Sequence, residues 1–385
     1  MLVIENGLVL TGRNLKPEKF NLVIDDGIIQ EITSKKVSSD NRIDANGCIV
    51  LPSFINSHTH IGDAVAMDVG DGKSIDEIVK PPHGLKHRIL DETSPEDLMQ
   101  SMKNAMWEML ETGTTTFVDY REGGLDGIKL LENASKGIPI TKIVLGRDPI
   151  IFDPEADENE IRAKVKNLLK HCDGIAPSGF GEITDETASI IAKECEKQGK
   201  IASIHVAEHE KVQIDSINRT GKTEVERAIE SKFRLLVHLT YPQKRDYEVL
   251  SAAKASVVCC PRSNGALSVG IPPINDIYNN KINTLLGTDN LMFNSPNMFR
   301  EMEYSLKIAR GYSKEYFSPL EILKMATTNA AKALNIKSGI IQEGKFADIM
   351  LVKQLSKNPW LSIINRTESK NIICLIRKGK IVYMR

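Results

Sequence analysis

Leu51-Pro52-Ser53-Phe54-Ile55-Asn56-Ser57-His58-Thr59-His60 is an apolar, strand-like run whose last residues carry two imidazoles. Residues two apart on an extended strand point to the same side, so His58 and His60 present both rings to one ion. A His-X-His pair alone is a weak signal, because such pairs arise by chance. Here three later runs end in the same way. Ile201-Ala202-Ser203-Ile204-His205-Val206-Ala207-Glu208 supplies His205, Leu235-Leu236-Val237-His238-Leu239 supplies His238, and Thr284-Leu285-Leu286-Gly287-Thr288-Asp289 supplies Asp289. Short apolar runs of this kind read as buried parallel strands, whose ends gather at one edge of the fold. The pattern predicts a metal site assembled across the chain.

Working outward, strand candidates end near His58, Tyr120, Arg147, Pro177, His205, His238, Cys259 and Asp289, with helix-like stretches between them. Eight strands alternating with helices predict an α/β fold, a (β/α)8 TIM barrel with its active site at the carboxyl ends of the strands. Ser94-Pro95-Glu96-Asp97 opens one helix and Gly113 follows its last turn, while another runs from Thr184-Asp185-Glu186 to Gly199. Both chain ends read as antiparallel β structure, with hairpin signals at Glu5-Asn6-Gly7, Asp25-Asp26-Gly27 and Arg377-Lys378-Gly379-Lys380. Neither end is long enough for a sheet of its own. Residues 1–50 and 340–385 are therefore expected to form one small β-sandwich beside a barrel domain of residues 51–339. The stretch from Ile61 to Thr93 is too long for an ordinary barrel loop. It is expected to cover the active site, although a simple surface insertion fits it equally well.

With 385 residues, 41% of them hydrophobic, the chain is long enough for one large barrel and a smaller unit. A net charge of −1 and the lack of a Lys/Arg stripe argue against nucleic acid and against an anionic membrane surface as partners. A small neutral or mildly charged molecule is expected instead, and a homo-oligomer is compatible with the sequence. Met1-Leu2-Val3-Ile4-Glu5-Asn6-Gly7 has no basic leader, and no run reaches membrane-spanning length, so a soluble, cytoplasmic protein is expected. Six cysteines occur without any Cys-X-X-Cys, which points to buried thiols rather than disulfides or a thiolate zinc site.

Three or four histidines and one aspartate suit one divalent cation per chain, zinc or else iron, with a position left open for water. Such an ion lowers the pKa of that water towards neutrality. Glu208, three residues beyond His205, is placed at the same strand end to carry protons to and from a substrate ring nitrogen. Asp289 has two candidate jobs, ligand and base. His238 is either a ligand or a hydrogen-bonding partner of the hydroxide. Arg121, Arg147 and Arg262 follow strands on the active face, and His83 sits in the expected cover. All four are candidate substrate contacts, an arginine fork suiting a carboxylate or phosphate. The arginines fit equally well as partners of loop acids such as Glu122 or Asp148.

The sequence resembles the amidohydrolase superfamily, in the branch containing chlorohydrolases and guanine, cytosine and adenosine-type deaminases. The resemblance rests on Leu51 to His60, Gly113-Thr114-Thr115-Thr116-Phe117-Val118-Asp119, His205-Val206-Ala207-Glu208, Val237-His238-Leu239, Cys260-Pro261-Arg262-Ser263-Asn264, Leu286-Gly287-Thr288-Asp289, Asn297 to Met302 and Gly344 to Ile349, in that order. It implies a mononuclear site with His58, His60, His205 and Asp289 as ligands, His238 on the hydroxide and Glu208 as proton shuttle. Binuclear relatives carry a carboxylated lysine on the fourth strand, and Asp173-Gly174-Ile175-Ala176-Pro177-Ser178 offers none. The implied reaction is deamination of a nucleobase, nucleoside or related heterocycle. Cyclic amide hydrolysis or chlorohydrolase-type displacement would use the same ligands. A catalytically silent scaffold would show an eroded site, yet His58, His60, His205, Glu208, His238 and Asp289 are all present. One departure is Ile61-Gly62-Asp63-Ala64-Val65-Ala66-Met67-Asp68, where such deaminases commonly have a leucine-rich stretch.

Overall fold

The strand Phe54–His60 begins a parallel series that continues through Thr114–Arg121, Thr141–Gly146, Gly174–Ile175, Ile201–Val206, Leu235–His238, Ser256–Cys259 and Asn283–Leu286. The computed structural model describes residues 1–79 and 84–385. From the second onward, each of these eight strands pairs with the one before it. The eighth position is split. Asn283–Leu286 pairs with the seventh strand, and Asp289–Asn290 pairs with Thr59 and His60 of the first, which closes the ring. Gly287 makes this closure possible, because a Cβ there would stand 2.6 Å from His58 Cβ and 2.8 Å from its backbone nitrogen. The result is a TIM-like barrel.

Both faces of these strands are buried, which explains their unbroken apolar runs. Ile55, Val118, Tyr120, Leu145, Val237 and Leu285 fill one apolar cluster. Phe54, Phe117, Val144, Ile204, Leu236 and Leu286 alternate with them and pack into a second, larger cluster with the helices. The helix Pro95–Glu111 starts where expected, with Ser94 accepting from the Asp97 amide, and Asp185–Lys197 is capped by Thr184. The fourth strand stops at Ile175 rather than near Pro177. Proline has no N–H to continue a ladder, which accounts for the shortening.

The chain ends form two sheets. Leu2–Glu5, Asn21–Asp25, Ile28–Thr33 and Arg42–Asp44 make one, and Leu8–Thr11, Lys16–Lys19, Cys48–Pro52, Ile349–Lys353, Ile372–Arg377 and Lys380–Met384 make the other. Residues from both sheets, among them Ile4, Leu22, Val50 and Leu351, share one apolar core. Asp25-Asp26-Gly27 and Lys378-Gly379 are hairpin turns as expected. Asn6-Gly7 is not, because Leu2–Glu5 and Leu8–Thr11 belong to different sheets. The ends are also mixed rather than purely antiparallel, since Leu2–Glu5 runs parallel to Arg42–Asp44 and Leu8–Thr11 runs parallel to Cys48–Pro52.

The segment after His60 is built from a 3-10 turn, Ile61–Ala66, and two helices, Ile75–Val79 and Leu85–Glu92. Ala66, Ile78 and Met292 make a small core there, with Leu85, Ile89 and Phe293 against it. The segment is thereby held to the loop after the eighth strand. All six cysteines are buried free thiols. Among the described residues, no helix is long and apolar enough to cross a membrane.

Candidate metal centre

The carboxyl ends of the first, fifth, sixth and eighth strands bring His58, His60, His205, His238 and Asp289 together. Asp289 Oδ1 lies 3.0 Å from His58 Nε2 and 3.6 Å from His60 Nε2, and His205 Nε2 lies 3.3 Å from His58 Nε2. Ligand atoms of His58, His60 and His205 fall within 4.8 Å of one another, as do those of His58, His238 and Asp289. The backbone turns sharply at these strand ends, with φ of 49° at Ala207, 74° at His238 and 61° at Asp289. Positive φ costs a residue with a side chain on the order of 1–3 kcal/mol, and such strain clusters at functional sites.

Neighbouring groups set the direction of each donor. His205 Nδ1 donates to the Ser178 carbonyl at 2.7 Å, which leaves the Nε2 lone pair facing the cluster. His60 Nδ1 faces Glu122 Oε1 at 3.4 Å. Ser263 donates its hydroxyl to Asp289 Oδ2 at 2.6 Å and so turns Oδ1 towards the imidazoles. The Asn264 amide donates to His238 Nδ1 at 3.2 Å. That bond puts the His238 proton on Nε2, which lies 3.6 Å from Glu208 Oε1. The His58 ring packs edge-on to Tyr120, with centroids 4.1 Å apart.

Burial lowers the pKa of all four histidines, His60 to about 3. Neutral imidazole is the ligand form. Burial acts to raise Asp289, but the imidazoles around it, led by His58, hold its carboxyl well below the usual range. Neutral imidazoles converging on one ionised carboxylate, without a thiolate, fit a borderline divalent cation such as zinc. Glu208 behaves in the opposite way. Burial first, and then the charge of Asp289, push it up to about 8.

The three arginines expected on the active face are there, with their guanidinium groups engaged by the protein. Arg121 lies 3.1 Å from Glu122 and 3.6 Å from Asp119. Arg147 pairs with Glu122 at 2.5 Å and donates to Ser178 Oγ at 2.7 Å. Arg262 lies 3.6 Å from buried Glu301 and donates to the Ser295 carbonyl at 3.2 Å. His83 lies outside the described residues. Sequence reasoning missed Asp63, Lys86 and Ser178. Lys86 lies in a stretch with no periodic signal, and its partners are distant in the chain. Ser178 acts through its backbone carbonyl, which no side-chain pattern betrays.

Barrel hydrolases that work through a metal ion carry their donors in this way, at the strand mouths with a protonatable carboxyl beside them. Comparison with known proteins narrows the class. The profile of the amidohydrolase family matches residues 49–382, and the chain belongs to that family. A Methanothermobacter thermautotrophicus protein, provisionally named an aminohydrolase, is 57% identical over 99% of both chains. A 5-methylthioadenosine/S-adenosylhomocysteine deaminase from Pyrococcus furiosus is 27% identical over 91% of this chain and 86% of its own. Among solved structures, an adenosine deaminase from Xanthomonas campestris with bound zinc superimposes with a TM-score of 0.86 at 19% identity. That match covers 99% of this chain and 92% of the other.

Proposed function

We propose that this chain is a metal-dependent aminohydrolase, which releases ammonia from the amidine carbon of a nucleobase, nucleoside or related heterocycle. The carrying observation is geometric: the donor atoms of His58, His60, His205, His238 and Asp289 converge at one barrel mouth, with the Glu208 carboxyl 3.6 Å from His238, and the proton affinities of the two carboxyls agree with it. Asp289 is held ionised, while Glu208 is pushed up to about 8. Two carboxyls tuned apart in this manner suit one as base and the other as acid. Relatives named for the deamination of adenosine-type compounds support the same reading.

In this reading His58, His60, His205 and Asp289 hold one divalent ion, zinc in the first instance and iron as the alternative. When bound, that ion lowers the pKa of a coordinated water towards neutrality. Glu208 delivers its proton to the ring nitrogen beside the reacting carbon and regains one from the added hydroxyl as the carbonyl forms, while the proton taken up by Asp289 passes to the departing amine. Asp289 accepts the proton of the attacking water. His238, with its proton on Nε2, donates a hydrogen bond at the reacting atoms instead of serving as a ligand. Arg121, Arg147 and Arg262 pair with Glu122 and Glu301 at the strand ends and are the candidate substrate contacts there. We also read residues 1–50 and 340–385 as a small β-sandwich unit and residues 51–339 as the hydrolase domain.

The test is ammonia release from purine nucleosides, purines, pyrimidines and pterins, using protein of measured metal content. Release that is lost on chelation is expected. Failure across the panel with metal bound overturns the deaminase reading and favours cyclic amides or halogenated rings.

A further inference from the structure

Lys86 is 4% exposed, although it comes from the helix Leu85–Glu92 of the long segment that follows the first barrel strand. Its Nζ lies 2.7 Å from Asp63 and 2.7 Å from Glu122. Glu122 is the carboxylate that faces His60 Nδ1, and Arg121 and Arg147 also reach it. With Asp119 beside Arg121, the group comprises three anions and three cations, all largely buried. Removing one charge from a balanced buried network leaves its partner uncompensated. The loss of Lys86 would fall on Glu122 and, through it, on His60.

We infer that Lys86 is a positioning residue of the metal centre: by seating its ammonium between Asp63 and Glu122, it ties the placement of the Leu85–Glu92 helix to the orientation of His60. The inference rests on the metal-centre reading above. Carboxylate partners of ligating histidines fix ring orientation, and losing one typically costs 10–100-fold in metal affinity or activity. Lys86 acts one step further out, by keeping that carboxylate in place. The coupling is reciprocal, so an ion that holds His60 also stabilises the seated helix.

Zinc-loaded wild type, Lys86→Met and Lys86→Arg are moved into excess chelator and zinc loss is timed. Lys86→Met is expected to lose zinc about 10-fold faster than wild type, and Lys86→Arg, which restores the charge, to lose it more slowly than Lys86→Met. Equal rates for wild type and Lys86→Met overturn the inference, and so does an arginine variant as leaky as the methionine one. Should Lys86→Met fail to fold, the unmodified protein still decides. Amide exchange over residues 85–92 should quicken when zinc is removed, relative to the distant helix Glu158–Leu168. Equal changes in both helices overturn the inference. These readouts need no substrate, so an empty ammonia panel leaves them standing. A wild type that holds no zinc overturns the metal-centre reading itself.

Discussion

Glu208 is the residue on which the proposed chemistry turns. Its carboxyl is partly buried, lies near the charge of Asp289 and is pushed up to about 8, so it holds a proton near neutrality. It also stands 3.6 Å from His238 and outside the ligand group. Glu208→Gln keeps the shape and removes the proton transfer. The variant is expected to retain its metal and to lose roughly a hundredfold or more in turnover, the scale of a lost general acid–base group. Metal analysis beside steady-state ammonia release checks this, and near-normal turnover would refute the assignment. At this scale the site was legible wherever a side chain ends an apolar strand, as with His58, His205, His238 and Asp289. It was illegible where function lies in a pairing. The three arginines look alike in the sequence, and only the fold shows that Glu122 and Glu301 take them up.

The elements matter because they bend the strand ends into place. The strand Ile201–Val206 is followed by Ala207 in the left-handed region, and the helix Glu224–Glu230 pins that turn. Glu224 Oε2 accepts the Ala207 amide at 2.8 Å, while Thr223 and Glu226 close a capping box at the helix start. Burial pushes Glu224 from an ordinary 4.5 up to about 7. A folded-state pKa above the unfolded one means that the folded state binds the proton more tightly. The stability contributed by Glu224 is therefore full below about pH 4.5 and is lost as pH rises to about 7. Glu224→Gln keeps an acceptor for Ala207 and abolishes this titration. Its stability relative to wild type should improve between pH 5 and pH 8 by on the order of 2 kcal/mol. Denaturant unfolding of both proteins at the two pH values measures the difference, and parallel curves would show that Glu224 does not titrate in this window. None of this was legible beforehand, since Glu224 reads as an ordinary first-turn helix acid. The barrel strands were legible, because burial on both faces writes a continuous apolar run.

At the scale of the whole molecule, the question is whether the terminal sheets are an appendage or part of the barrel's support. The sequence misreads Asn6-Gly7, because a turn signal does not say which sheet the next strand joins. The observed pairing answers the larger question. Ile349–Lys353 lies between Cys48–Pro52 and Ile372–Arg377, and only Ser53 separates Cys48–Pro52 from the strand that carries His58 and His60. The backbone carbonyl of Asp348 accepts the Ser53 amide, and its carboxylate accepts from Ser338 and from the Lys378 amide. A chain stopped after Asp348 would lose Ile349, Met350, Leu351, Val352, Ile372, Cys374, Leu375 and Ile376, all fully buried. It would also uncover Ile49, Val50 and Leu51. At about 1.5–3 kcal/mol for each large apolar side chain, the loss is as large as the 5–15 kcal/mol that typically holds a domain together. The shortened chain is expected to aggregate or to remain unfolded by circular dichroism, with no retained zinc. If it instead accumulates as a soluble protein that unfolds cooperatively and keeps its metal, the barrel stands alone and the terminal sheets do not brace the first strand.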